Sequence, residues 1–261
     1  MRCSFDFTGS SGIVSGGASG IGRAVVAALL ESGAKVVAVD RNAEGLAELA
    51  GELSGGAANG ADRLLTIACD LTDPPSAGRA VSHAADRFGT PDYLVNSIAV
   101  SHRKAALDLS EEEIGQMIEV NFFAVFRLCR LVAREMSRAA PAHRAIVNIA
   151  STGAWQGSRN YAGYNASKAA LVTATRVLAN EWISHGIHVN ALCPGPTRTP
   201  FVERYYADHP EVVESIIGRT PAGRIAEPAD HVGPVLFLLS DASSWITGEA
   251  VASDGGKGLN G

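Results

Sequence analysis

The sequence predicts an α/β fold in which a doubly wound parallel sheet of about seven strands carries helices on both faces. Short β-branched runs alternate with longer Ala-rich segments along all 261 residues. Several of the short runs are apolar on both faces, which is typical of parallel strands that helices cover on both sides. No linker, low-complexity tract or repeat of fixed period divides the chain. We therefore expect a single domain spanning residues 1–261.

The elements follow in chain order from this alternation. The short apolar runs that end in polar or glycine-rich junctions predict strands at 12–15, 35–40, 64–70, 93–96, 145–151, 188–194 and 250–254. The segments between them predict helices at 21–31, 43–53, 76–88, 110–138, 162–184 and 228–239. Each helix is long enough to form the right-handed crossover that joins two parallel strands.

The segment 118–132 is unusual because its apolar residues surround the helix axis instead of forming one stripe. These residues are Val120, Phe122, Phe123, Val125, Phe126, Leu128, Leu131 and Val132. A helix that is apolar all round is covered on both sides. Either the same helix of a second subunit covers its outer side, or the helix is wedged inside a large core. We favour self-association and expect a homo-oligomer, a dimer or a homotetramer.

Charge and composition exclude several classes of function. A net charge of −5 gives no electrostatic reason to bind nucleic acid or anionic lipid. No run approaches the roughly 20 apolar residues of a membrane span, and residues 1–6 lack the layout of a secretory signal, so we expect a cytoplasmic protein. The cysteines are far apart and form no Cys-x-x-Cys pair, so we expect reduced, buried thiols and no metal site at Cys3, Cys69, Cys129 and Cys193.

A glycine-rich turn follows the first predicted strand, at residues 15–22, Ser-Gly-Gly-Ala-Ser-Gly-Ile-Gly. Glycine lets backbone N–H groups approach a pyrophosphate at the positive end of the next helix. This makes the turn a candidate cofactor site, with contacts from Gly16, Ser19, Gly20, Ile21 and Gly22. Any tight strand-to-helix turn can use glycine, so this motif alone is a modest signal.

Asp40 ends the second predicted strand, where a carboxylate can accept hydrogen bonds from both hydroxyls of an adenosine ribose. The same carboxylate would repel a 2′-phosphate, which favours NAD over NADP as the cofactor. Arg41 beside it could soften this preference by pairing with a phosphate. The alternative for Asp40 is a solvated acid in a turn.

Tyr164 and Lys168 are four residues apart, so both side chains share one face of a predicted helix. Phenol is a poor base at neutral pH, with a pKa of about 10, and a nearby ammonium favours its ionised form. Tyr161 has no such lysine partner. Ser151 closes the fifth predicted strand, so it reaches the edge of the sheet where open α/β folds bind ligands.

With these motifs in order, the chain resembles the short-chain dehydrogenase/reductase family over essentially its whole length. The motifs are residues 15–22, Asp70, Asn96, Asn121, Ser151, Tyr164 with Lys168, Pro194-Gly195 and Ile246-Thr247-Gly248. The resemblance implies a Rossmann-type fold in which Tyr164 exchanges the proton and Ser151 holds the substrate oxygen. It implies that Lys168 binds the nicotinamide ribose and lowers the pKa of Tyr164, while Asn121 positions a water that links Lys168 to solvent.

The resemblance also implies the remaining cofactor contacts. Asp70 and Leu71 would contact the adenine, and Asn96 would flank the adenosine ribose. Pro194, Thr197 and Thr199 would lie along the nicotinamide, with both threonines at its carboxamide. The sequence Asn-Ser-Ile-Ala at 96–99 departs from the Asn-Asn-Ala-Gly of the family, and its bulkier side chains predict a shifted loop.

Substrate contacts are expected from two loops. His102 follows the fourth predicted strand and could overhang the substrate, or it is a solvated loop histidine. The resemblance makes residues 197–222 a mobile lid over the substrate pocket. Its candidates for substrate specificity are Phe201, Arg204, Tyr205 and Tyr206, with a plain surface helix as the alternative.

These residues together predict an NAD-dependent oxidoreductase that interconverts a small-molecule secondary alcohol and a ketone. The alternative is a catalytically silent nucleotide-binding regulatory or scaffold protein of the same fold, suggested by the unusual loop at 96–99. A serine hydrolase is excluded because the chain has no Gly-x-Ser-x-Gly elbow. The sequence leaves the substrate open among simple alcohols, sugars, polyketide-like rings and thioester-bound ketones.

Overall fold

The computed structural model describes residues 4–54, 60–140 and 142–260, so Cys3 lies outside the described residues. Seven strands alternate with helices: β1 Ser11–Ser15, β2 Lys35–Asp40, β3 Leu64–Ala68, β4 Tyr93–Asn96, β5 Arg144–Ile149, β6 Ile187–Pro194 and β7 Ala250–Ser253. The α-helices are α1 Gly20–Glu31, α2 Ala43–Ser54, α3 Gly60–Arg63, α4 Pro74–Phe88, α5 Glu111–Ile118, α6 Val125–Ser137, α7 Ala162–Trp182, α8 Pro200–Asp208, α9 Pro210–Gly218 and α10 Val232–Leu239.

The strands form one parallel sheet in the order β3-β2-β1-β4-β5-β6-β7. The strand order reverses between β1 and β4, which pair directly from Gly12 with Tyr93 to Ser15 with Asn96. A crevice opens outside the carboxyl ends of the strands at such a reversal, and ligands bind there in open α/β sheets. The predicted Rossmann-type doubly wound sheet is therefore confirmed.

Two hydrophobic clusters lie on opposite faces of the sheet. One packs residues such as Val81 of α4, Leu128 of α6 and Leu171 of α7 against the strands. The other packs Val25 of α1 and Val235 of α10, with residues of α2, against the opposite face. Buried aliphatic residues of this kind each stabilise the fold by about 1.5–3 kcal/mol. The prediction of helices on both faces is thus confirmed.

The predicted helix at 110–138 differs from the expectation in two ways. It is broken into α5, a π-helical segment Glu119–Ala124 and α6. Apolar residues surround the helix axis only in the π segment and at its ends, because α6 carries Arg127, Arg130 and Arg134 opposite its buried face. The interpretation of a helix that is apolar all round was therefore wrong for α6. Phe123 is 49% exposed, and self-association stays a prediction.

The segment after β6 forms a small layer of its own. Helices α8 and α9 each begin at a proline in the first turn, where its fixed φ suits a helix. Tyr206, Ile216 and Ile225 form a separate buried cluster beneath them. The helix predicted at 228–239 starts as a 3₁₀ turn, Pro228–His231, before α10. Among the described residues, every helix is too short or too polar to span a bilayer.

The cysteines within the described residues are free thiols. Cys129 and Cys193 are buried, as expected, whereas Cys69 is only half-buried. Burial raises the pKa of Cys129 to about 12 and that of Cys193 to about 11, so both are protonated at neutral pH.

Candidate active site

Ser151, Tyr164 and Lys168 lie together at the carboxyl edge of the sheet. Ser151 follows β5, and the other two residues occupy the first turns of α7. The Lys168 Nζ lies 5.8 Å from the centroid of the Tyr164 ring. The Ser151 hydroxyl shares a hydrogen bond with Tyr164 and also accepts the N–H of Gly153 at 3.0 Å. The backbone donor uses a lone pair of Ser151, so its hydroxyl proton stays free for Tyr164 or a substrate oxygen.

Lys168 is buried, with only 1% of its surface exposed. Its ammonium donates a hydrogen bond of 2.8 Å to the carbonyl of Ile149, the last residue of β5. Burial lowers the pKa of Lys168 to about 8 because the charged form loses its hydration. The lysine is therefore held against the strand that also leads to Ser151.

The pKa of Tyr164 does not follow the expectation from its lysine neighbour. Burial raises the pKa of Tyr164 to about 12, and the hydrogen bond with Ser151 works against this rise. The predicted lowering of the Tyr164 pKa is thus wrong, because desolvation of the phenolate outweighs the hydrogen bond with Ser151. Tyr164 is a protonated phenol at neutral pH in this environment.

Asn121 is buried in the π segment, and its side-chain amide is fully engaged. Its oxygen accepts the N–H of Val100 at 2.7 Å, and its nitrogen donates to the Val100 carbonyl at 2.9 Å. The same nitrogen donates to the Ser167 hydroxyl at 2.9 Å. Asn121 thus joins the loop after β4 to α7 beside Lys168. A role in holding a water would fall to its main chain, because π-helical geometry interrupts the regular carbonyl ladder.

The glycine turn between β1 and α1 is shaped by close backbone approaches. A Cβ at Gly22 would lie 2.1 Å from the Gly16 carbonyl oxygen, and Gly16 itself has φ +73. Helix α1 starts at Gly20, and the preceding Ser19 makes no side-chain cap. The first N–H groups of α1 thus lack a capping side chain at the crevice, the arrangement in which helix N-termini bind phosphate.

Asp40 stands at the end of β2 beside this turn. Its carboxylate accepts the N–H of Ala18 at 3.1 Å and the N–H of Asn42 at 3.0 Å. Each oxygen keeps a lone pair, so ribose hydroxyls can still be bound. Arg41 is exposed, and its charge helps to lower the pKa of Asp70, after the larger effect of the Thr72 hydrogen bonds. One acid and one cation therefore flank the place where a 2′-phosphate would lie.

The other predicted adenosine contacts divide into exposed and buried groups. Asp70 is exposed, and Leu71 beside it is buried. The Asn96 side chain is buried in a network, where it donates to Asn148 at 2.9 Å and accepts from Ser15 at 3.0 Å. Any contact of Asn96 with a cofactor would therefore use its main chain.

The unusual loop at 96–99 closes directly on the glycine turn. Its Ser97 N–H donates to the Ser15 carbonyl at 3.0 Å. The Ile98 side chain packs against the hydrophobic core. The hydrophobic core thus accommodates the large Ile98 side chain, which was one reason to predict a shifted loop.

Residues 195–199 connect β6 to α8. The Thr197 hydroxyl donates to the Gly195 carbonyl at 2.9 Å and lies 2.8 Å from Nε2 of buried His231. Because the hydroxyl proton is already used, Nε2 must carry the proton in this pair. The other ring nitrogen, Nδ1, lies 2.9 Å from the Ser253 hydroxyl. His231 was not predicted, since a histidine in a proline-started turn carries no distinctive signal.

The four residues predicted to determine substrate specificity in the lid lie in different surroundings. The Phe201 ring lies 6.2 Å from the Tyr164 ring, and Tyr205 faces the loop after β4. Arg204 is 97% exposed at its side chain, as in the alternative of a plain surface helix, and Tyr206 is buried in the cluster with Ile216 and Ile225.

His102 is directed to α5. One ring nitrogen, Nε2, lies 2.6 Å from Gln116, and the other lies 3.5 Å from Glu113. Its neighbour Arg103, which the sequence reasoning missed, stacks on Tyr205 and Tyr161. Over the described ranges, no cluster of three or more His, Cys, Asp or Glu residues could hold a metal ion.

Residues 16–257 match the family described as Enoyl-(Acyl carrier protein) reductase. L-xylulose reductase of Bos taurus is 37% identical over 249 residues, covering 95% of this chain and 96% of the relative. 2-Dehydro-3-deoxy-D-gluconate 5-dehydrogenase of Dickeya dadantii is 34% identical over 252 residues, covering 97% and 96%. A structure from Beutenbergia cavernae, described as an NAD(P) dependent gluconate 5-dehydrogenase with NADP bound at low occupancy, has TM-score 0.89 and 37% identity, covering 98% and 99%.

Proposed function

The chain belongs to the short-chain dehydrogenase/reductase family of NAD(P)-dependent oxidoreductases, and we propose that it interconverts a polyol or sugar alcohol and its ketone with NAD. The relatives named above act on a neutral ketose and on a sugar acid. A chain of hydroxyl groups is the feature that these substrates share. The observation that carries the proposal is the contact of Ser151, Tyr164 and Lys168 at the mouth of the crevice.

Tyr164 exchanges the proton of the substrate oxygen in the proposed reaction. A nicotinamide held in the crevice would supply or take up the hydride at its C4 carbon. During ketone reduction, the protonated Tyr164 donates to the oxygen, which suits a phenol whose pKa burial has raised. During alcohol oxidation, Tyr164 must first lose its proton, and the positive charges of Lys168 and the oxidised nicotinamide favour that loss.

Ser151 and Lys168 support this proton transfer. Ser151 hydrogen-bonds the substrate oxygen together with Tyr164, so that two preorganised donors stabilise the charge that develops on it. Lys168 binds the nicotinamide ribose with the ammonium protons that the Ile149 carbonyl leaves free. Asn121 holds the surrounding backbone in place through Val100 and Ser167.

The remaining cofactor contacts follow the crevice. The N-terminus of α1, with Gly16 to Gly22, binds the pyrophosphate. Asp40 binds the adenosine ribose and disfavours NADP, although one neighbouring structure holds NADP. Residues 197–222 act as the lid, with Phe201 next to the reactive phenol.

Replacing Tyr164 with phenylalanine tests the proposal. The variant removes one hydroxyl, so NADH binding, followed by fluorescence, should stay within about threefold while polyol oxidation is lost. Tyr161→Phe is the matched control, because it removes the hydroxyl of the neighbouring ring, 6.0 Å from Tyr164. Turnover within about tenfold of the unsubstituted protein in Tyr164→Phe would refute the proton route.

A further inference from the structure

Arg103 occupies a position that no sequence motif predicts. It lies in the loop after β4, and its guanidinium carbon is 3.6 Å from the centroid of the Tyr205 ring. The same carbon is 4.5 Å from the centroid of Tyr161. The guanidinium therefore connects the lid helix α8 with the start of α7.

Two further ring contacts lead to the reactive phenol. The Tyr161 ring lies 6.0 Å from the Tyr164 ring, and the Phe201 ring lies 6.2 Å from it. Phe201 and Tyr205 are four residues apart and so share one face of α8. The ring contacts and this shared helix face link the four aromatic residues and Arg103 into an aromatic circuit, of which Arg103 is the charged member.

Arg103 differs from Lys104, Arg198 and Arg204 in having no acidic partner. Lys104 pairs with Glu113, Arg198 lies 3.6 Å from Glu227, and Arg204 lies 3.9 Å from Asp208. Within the described residues no carboxylate reaches Arg103, and tyrosines are the groups that oppose the lowering of its pKa by burial. A half-buried cation without a counter-charge is costly, which points to an anion supplied from outside the chain.

The stacking determines which part of the guanidinium is available. Aromatic rings contact it through its π surface, so the N–H groups that lie in its plane point sideways from these contacts. Such an edge binds a planar carboxylate with two parallel hydrogen bonds. The stacked rings also fix the orientation of the guanidinium, so that the Arg103 side chain loses less conformational entropy when it binds a carboxylate.

We propose that Arg103 binds a carboxylate at the far end of the alcohol substrate, so that the substrate is a polyhydroxy acid. This inference rests on the proposed function, since it places the reacting hydroxyl at Tyr164 and the acid group at Arg103. The hydroxyl chain between them spans the aromatic circuit. The circuit thus selects for both the charge and the length of the substrate.

Matched pairs of acids and neutral polyols test the inference. The pairs are D-threonate with D-threitol, D-xylonate with xylitol, and D-gluconate with D-glucitol, each assayed by NADH formation. The unsubstituted protein should oxidise at least one acid with a kcat/KM about tenfold or more above its neutral partner. Arg103→Met should lower the kcat/KM for that acid about 100-fold, as expected for a lost charged hydrogen-bonded pair. Oxidation of the neutral partner should change less than about threefold, because the flexible methionine side chain can still pack on the Tyr205 ring and keep the lid in place.

Three further variants separate recognition from support of the lid. Arg103→Lys keeps the charge without the planar fork and should recover part of the preference for the acid. Tyr205→Leu breaks the stack and should lower oxidation of acid and neutral substrates alike. Arg204→Met removes an exposed charge from the same helix and should change the oxidation of neither the acid nor the neutral substrate. Melting temperature and NADH binding report whether each variant is folded.

The outcomes are distinguishable. If neutral polyols are oxidised as well as or better than every acid, the inference fails and the proposed function stands. If Arg103→Met lowers acid and neutral oxidation equally, Arg103 only holds the lid and the inference fails. If no acid or polyol is oxidised although NADH binds, the proposed function fails and the inference fails with it.

Discussion

Replacing Asn121 with alanine should destabilise the fold by about 2–4 kcal/mol. The change removes three hydrogen bonds, two to the backbone of Val100 and one to Ser167. At about 1–3 kcal/mol for each of the two partner residues, Val100 and Ser167, the loss would be about 2–6 kcal/mol. Val100 is only half-buried, so water can take over part of its bonding, and the hydroxyl of buried Ser167 still donates to the Tyr164 carbonyl at 2.7 Å. We therefore expect a loss of stability in the lower half of this range, about 2–4 kcal/mol.

Urea unfolding followed by circular dichroism measures this loss as a shift in midpoint at an unchanged slope. Asn42→Ala is the matched control, because Asn42 accepts one N–H, that of Gly45, before α2. Its loss should cost about 1 kcal/mol, as for other N-caps. If Asn121→Ala is no more destabilising than Asn42→Ala, the network does not carry the stability assigned to it.

Four other substitutions have definite expected outcomes. Asp40→Ser should reduce the ratio of kcat/KM with NAD to that with NADP by about tenfold or more, and an unchanged ratio would show that Asp40 does not select the cofactor. Gly22→Ala should abolish NADH binding, because its methyl group would lie 2.1 Å from a backbone oxygen. Gly78→Ala, with nothing within 4 Å in α4, should instead stabilise the protein by about 0.5–1 kcal/mol; equal melting temperatures for the two variants would contradict this. Lys168→Met should be inactive yet more stable by about 1–2 kcal/mol at pH 6.5 in urea unfolding, and a less stable variant would contradict this.

The sign of the Lys168 effect follows from its lowered pKa. Burial lowers the pKa to about 8 from an ordinary value of 10.5, so protonated Lys168 is less favourable in the folded than in the unfolded protein. The penalty is about 3 kcal/mol and is fully present below pH 8. It declines as the pH rises through the interval between the two pKa values. The lost hydrogen bond to Ile149 offsets about 1 kcal/mol of the gain in the methionine variant.

The sheet could be predicted because its signal is local. Runs such as Lys35–Asp40 are apolar on both faces, and their ends carry the groups that line the crevice. Ser151, Tyr164 and Lys168 could be placed together for the same reason, since strand ends and helical spacing fix their positions.

The remaining features depend on contacts between distant segments. The π segment at Asn121 has no simple pattern, because its extra residue is accommodated by packing against Val100 and α7. The pKa of Tyr164 depends on desolvation, which spacing to a lysine does not reveal. The stack of Arg103 on Tyr205 joins the loop after β4 to helix α8, and these two segments are far apart in the chain.

The structure of the NADH complex tests the central claim most directly. The account predicts that the Tyr164 hydroxyl faces the C4 carbon of the nicotinamide and that the Lys168 Nζ donates to the hydroxyls of the attached ribose. A complex in which that phenol points away from the nicotinamide, or in which the ribose lies beyond hydrogen-bond distance of Lys168, would contradict it.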